Sequence, residues 1–70
     1  MPLGMAATGV ETKIQRINGK DEVRRFLEGL GFVEGSTVTV ISKINGNLIV
    51  NMRDSRIALD KRLANRIFVG

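Results

Sequence analysis

The run Leu27-Glu28-Gly29-Leu30-Gly31-Phe32-Val33-Glu34-Gly35 constrains this chain more than any other, because it begins as an amphipathic helix and is stopped by glycine. Val23, Phe26, Leu27 and Leu30 recur at the i, i+3, i+4, i+7 spacing that lays one apolar stripe down a helix of about three turns. Asp21 and Glu22 place negative charge at its start, where the helix dipole favours it. Asn18-Gly19 just upstream suits a turn or a side-chain cap on the helix. Gly31 falls where a left-handed residue ends a helix, and Phe32 is placed to fold back on the last turn. This spacing assigns Leu27 and Leu30 to the core, holds Phe26 in the same stripe, and leaves Arg24, Arg25 and Glu28 outward.

Short strands and tight turns make up the rest. Residues 10–17 (VETKIQRI) read as a half-buried strand with Val10, Thr12, Ile14 and Arg16 on one side and Ile17 beginning the exit. Residues 37–43 set Val38 and Val40 against Thr37 and Thr39, and residues 48–53 put Leu48, Val50 and Met52 on one face. Asn45-Gly46 between them is a strong hairpin signal, since both central residues of that turn adopt positive φ. Asp54-Ser55 turns into a short strand at 56–59, residues 60–65 form one helical turn, and 66–69 make a last strand. The fold class is therefore mainly β with one α-helix, in a single domain spanning residues 1–70. Five short strands in so small a chain are expected to curl into a barrel, removing the edges that invite aggregation.

Composition narrows the chemistry. At 70 residues the core is near the lower limit for a domain without staples. With no cysteine and no histidine, the chain lacks a thiol nucleophile, the commonest general base and the commonest metal ligands. A catalytic site built from carboxylates, lysines or serines needs a cleft that a domain of this size rarely supplies, so the chain is read as no enzyme, without metal or cofactor. Asp21 and Glu22 are adjacent on a helix and do not converge on a cation; dipole compensation accounts for them. Met1, Met5 and Met52 share no spacing and read as core filling. No basic leader followed by an apolar run opens the chain, and no stretch approaches the roughly 20 apolar residues of a membrane span, so a soluble cytoplasmic protein is expected.

Arg24 through Gly35, RRFLEGLGFVEG, resembles the helix-and-turn signature of the FeoA domain: basic residues, leucine, two variable positions, leucine-glycine, two apolar residues, one position often proline, and glycine. Leu27, Leu30, Gly31, Phe32, Val33 and Gly35 fill that pattern. Ser55-Arg56-Ile57-Ala58-Leu59 looks like the family's later strand, Ala64, Ile67 and Val69 match its close, and the opening residues 3–9 look like its start. Glu34 replaces the frequent proline, and Asp54 stands where glycine is usual. The resemblance implies a small SH3-like barrel of the ferrous iron transport system. It further implies a cytoplasmic, regulatory partner of a FeoB-type permease, whose cytoplasmic part carries a G-protein domain.

Two surfaces are candidates for that partner. Leu30, Phe32 and Val33 frame a glycine-shaped corner, and loops fixed on a scaffold are where binding concentrates; closing the end of the barrel is the competing use, stronger for Phe32 than for Val33. The basic set Arg53, Arg56, Lys61, Arg62 and Arg66 suits acidic groups on a G-protein domain, or else forms a solvated face. The net charge of +4 also fits the alternative of a small basic barrel that binds RNA or another nucleic acid. Against that alternative, the chain has no tryptophan, no tyrosine and three phenylalanines, too few for stacking platforms. The same shortage argues against proline-rich peptide recognition. A core this small also gains from self-association, so a homo-oligomer is compatible with the sequence.

Overall fold

The alternation of Val38 and Val40 with polar residues, matched by Leu48, Val50 and Met52 on the return, sends all five inward as strand pairs of one antiparallel sheet. The computed structural model describes residues 1–70. Its strands are β1 (Glu11–Ile17), β2 (Thr37–Ile44), β3 (Asn47–Met52), β4 (Ser55–Leu59) and β5 (Ile67–Val69), in the spatial order β4-β3-β2-β1-β5. Helix α1 (Asp21–Gly29) joins β1 to β2, and helix α2 (Lys61–Ala64) joins β4 to β5. Asn45 and Gly46 take φ of 52° and 84°, so the β2–β3 hairpin turns as its sequence predicts.

The barrel is SH3-like, and it is open. β4 and β5 end the sheet without pairing with each other. The outer edge of β5 is covered where Pro2 bridges Phe68, whereas β4 keeps a free edge. The closure that the short strands suggest is not reached: the chain passes from β4 to β5 through α2, and the two strands stay apart. Asp60 caps this helix by accepting the Leu63 N–H at 2.9 Å, and the helix packs on β3, β4 and the amino-terminal turn.

Helix α1 ends as a Schellman motif. The Phe32 N–H donates to the Leu27 carbonyl at 3.0 Å, the Gly31 N–H to Glu28 at 2.9 Å, and Gly31 has φ of 104°. At the other end Lys20 is the N-cap and makes no side-chain cap bond, while Asn18 lies two residues before it and ties the turn to the sheet through its backbone N–H, donated to the Arg66 carbonyl. The helix touches the barrel through buried Leu27 and half-buried Val23. These are four residues apart and thus about 40° apart around the axis, while Phe26 lies about 100° from Leu27. A small curved barrel covers only part of the apolar arc. Phe26 is 54% exposed and Leu30 39%, which corrects the placement of both in the core.

A bulge in β1 corrects a second expectation. Ile14 pairs with Val69 and Arg16 with Phe68, so Gln15 is the extra residue and the alternation changes phase. Arg16 leaves the inner face and lies over the Phe68 ring at 4.6 Å, while Ile17 pairs with Ile67 and packs on the core. Val10 precedes the strand and is exposed. The amino-terminal segment contributes more than a turn: a 3-10 turn at Leu3–Met5 buries Leu3, and Ala6 follows it into the core. Met52 fills the core as expected, but Met1 and Met5 are exposed.

Candidate functional site: a pinned corner and an open edge

Residues 31–36 leave α1 and return to β1 through a chain of backbone bonds. Ser36 N–H donates to Val33 at 3.1 Å, Gly35 N–H to Ile14 at 2.8 Å, and Ile14 N–H back to Ser36 at 2.9 Å. Gly35 has φ of 88° at the third position of the turn, the geometry of a type II turn whose second position favours proline. Glu34 holds that second position, which gives a physical reason for proline being frequent there. A Cβ on Gly31 would lie 3.2 Å from the Met52 sulfur, so the corner also abuts the end of β3.

On this frame the three candidate apolar residues part company. Phe32 is fully buried among the core side chains, and this corrects its candidacy as a surface residue: the Schellman turn aims it inward. Leu30 stays in solvent, and Val33 is 38% exposed, lining a shallow groove of about 230 Å³ with Ile17, Arg24, Glu28 and Glu34. Phe26, which the helical spacing had placed inside, joins them as the most exposed apolar residue of the helix.

The basic set does not gather into one patch. Arg53 sits in the β3–β4 turn, next to Met52 and therefore close to the corner. Arg56, on β4, pairs across from Asn51 on β3. Lys61 and Arg62 lie on α2 at the opposite end, where the Lys61 N–H donates to the Asn47 side chain at 3.0 Å. Arg66 turns toward Gly19 and Val23 at the start of α1. Arg53 takes φ of 55°, so the positive φ of this hairpin falls on an arginine and not on Asp54, where the family usually has glycine. No three His, Cys, Asp or Glu side chains come together as a metal site; Asp21 and Glu22 sit in the first turn of α1.

Between the two basic ends lies a feature that sequence reasoning missed. Ile44, Ile49 and Ala58 share the outer face of β2, β3 and β4, and with Asn47 and Asp60 they line an apolar groove of about 340 Å³ beside the free edge of β4. The signal for it was in the chain: Ile44, Ile49 and Ala58 are among the apolar strand residues left over once the inward alternation is assigned.

Comparison with known proteins agrees with this architecture. The FeoA domain model matches residues 1–70. "Putative Fe(2+) transport protein A" of Methanocaldococcus jannaschii is 32% identical over 68 residues, 97% of this chain and 83% of its own. A crystal structure of the iron uptake regulatory protein FeoA superposes with a TM-score of 0.90 at 27% identity, covering 99% of this chain and 93% of the other. A Stenotrophomonas maltophilia FeoA, solved in complex with zinc and described as a prokaryotic SH3 domain protein, does so with 0.85 at 26% identity, over 100% and 89%. The chain belongs to the FeoA domain family, whose members are accessory proteins of ferrous iron transport.

Proposed function

We propose that this protein acts in ferrous iron uptake by binding the cytoplasmic region of a FeoB-type permease, as a regulator without chemistry of its own. The observation that carries the reading is the corner: Phe26, Leu30 and Val33 stay in solvent around a capped helix end whose following turn, at Gly35 and Ser36, is hydrogen-bonded to β1. Apolar side chains held in place by a satisfied backbone lose little conformational freedom when a partner covers them, which favours binding. The permease reading draws on family membership along the whole chain.

Calorimetric titration against the permease's cytoplasmic region, with and without guanine nucleotide, tests it. Wild type should bind, Val33→Asp should weaken binding by about tenfold by placing an unpaired charge in the contact, and Arg56→Glu should weaken it where acidic groups face the barrel. No heat under either nucleotide condition sinks the proposal. Binding of mixed RNA that falls steeply with salt would favour the nucleic-acid reading instead.

A further inference from the structure

The β3–β4 hairpin closes with two turn residues, and its register runs without a shift from Met52↔Ser55 to Leu48↔Leu59. Hydrogen-bonded and non-hydrogen-bonded pairs alternate along an antiparallel ladder. Counting from the closing pair, Ser55, Ile57 and Leu59 spend their N–H and C=O on β3. Arg56 and Ala58 point theirs away from it, toward the free edge, and no other backbone group takes them up. The same two residues place their side chains on the outer face, where Ala58 meets the groove lined by Ile49 and Ile44.

We propose that this edge accepts an extended acidic segment of a partner protein as a sixth strand, with one apolar side chain seated in the groove. Backbone donors and acceptors at strand spacing match another polypeptide, and the apolar groove beside them supplies side-chain selection. Charge selects the occupant. Residues 53–62 carry Arg53, Arg56, Lys61 and Arg62 against Asp54 and Asp60, with Arg53 and Arg56 toward one end of the edge and Lys61 and Arg62 beyond the other. A second copy of this chain, pairing antiparallel across a two-fold axis, would set the Arg53 and Arg56 end of one edge against the Lys61 and Arg62 end of the other, cation against cation. An acidic strand meets them with opposite sign. The proposal concerns how a partner is held and stands apart from the identity of the permease.

The test follows the backbone amides of the isotope-labelled protein during titration with the probe acetyl-Glu-Val-Glu-Val-Glu-Val-amide, at low and high salt, and with its counterpart carrying lysine for glutamate. Shifts should concentrate at Ile44, Ile49, Arg56 and Ala58, exchange of the Arg56 and Ala58 amides should slow, and binding should weaken with salt. The lysine probe should bind at least about tenfold more weakly. Ala58→Pro removes one outward donor while sparing the β3 ladder, a substitution that edge strands tolerate, and it should lose about tenfold in affinity. Ile44→Glu, at a position 61% exposed, repels the probe without touching the core. Circular dichroism checks that both variants are folded.

Shifts confined to α1, equal binding of the lysine probe, or unchanged affinity in both variants would overturn the edge. So would Arg56 and Ala58 amides already protected in the free protein in a concentration-dependent way, the sign of a second copy. A permease region that binds wild type and Ala58→Pro alike keeps the proposed function and rejects the edge. A probe that binds while the permease region does not keeps the edge and rejects the permease.

Discussion

The corner at residues 31–36 and the edge at β4 differ in how the fold satisfies them. At the corner the backbone is bonded to the end of α1 and to β1, and Phe32 is driven into the core from within it. At the edge the backbone is bonded on one side only. Their charges differ as well: residues 21–34 carry Asp21, Glu22, Glu28 and Glu34 against Arg24 and Arg25, whereas residues 53–62 carry four basic side chains against two acidic ones. A partner meeting the corner gains apolar contact in an acidic surround; one meeting the edge gains backbone bonds in a basic surround. The two surfaces suit different parts of a partner, and substitutions should separate what holds each in place from what it presents: buried residues and turn glycines act on stability, exposed side chains on binding.

The largest effect is expected from Phe32→Ala. Removing a fully buried phenylalanine typically costs about 3–5 kcal/mol, a large share of the roughly 5–15 kcal/mol that holds a folded domain together. Denaturant titration should show a folded population that is marginal in buffer, whereas Val33→Asp, one residue along, should shift the midpoint little. Equal losses at the two positions would contradict the division between a residue inside the corner and one on its surface.

Gly31→Ala comes next. Its φ of 104° strains any L-residue, and the added Cβ would press on the Met52 sulfur at 3.2 Å. A loss of about 1–2 kcal/mol is expected, read from the denaturation midpoint. This position also shows what could be read in advance. The helix stop at Gly31, the hairpin at Asn45-Gly46 and the inward alternation of β2 and β3 are local rules, and each holds. What was hidden depends on neighbours the sequence does not display. The arc of α1 that the barrel covers leaves Phe26 outside, the bulge at Gln15 reverses Arg16, and β4 ends the sheet without meeting β5. The corner was therefore half legible, its shape from glycine spacing but not the exchange of Phe32 for Phe26 at the surface. The groove at the edge escaped because its residues are far apart in sequence and meet only through sheet register.

Asp60→Ala probes the edge's own support. The Asp60 carboxylate caps α2, and the helix start is held a second time by the bond from Lys61 N–H to Asn47. Loss of a helix cap costs about 1 kcal/mol. Because the cap holds the first turn of α2, the variant should also loosen the Lys61–Ala64 amides in hydrogen exchange while leaving the corner amides of Gly35 and Phe32 protected. Loosening of both regions together would show that corner and edge unfold as one unit.

Arg53 gives the smallest expected effect and the finest distinction, because it carries both a backbone strain and a charge. At φ of 55° a side chain costs about 1 kcal/mol that glycine avoids, while glycine adds freedom to the unfolded chain worth about 0.5–1 kcal/mol. Arg53→Gly should therefore equal wild type or exceed it by up to about 0.5 kcal/mol, a rise in melting temperature of about 2–4 °C. Arg53→Ala keeps the strain and loses the guanidinium, so it should melt below the glycine variant. Both remove the same charge from the end of β4, and both should weaken binding of an acidic strand equally. If the two melt together, the turn relaxes without help from glycine. If they melt apart but bind alike, strain and charge at this residue are separable, and the hairpin tolerates its conformation for the sake of the arginine it presents.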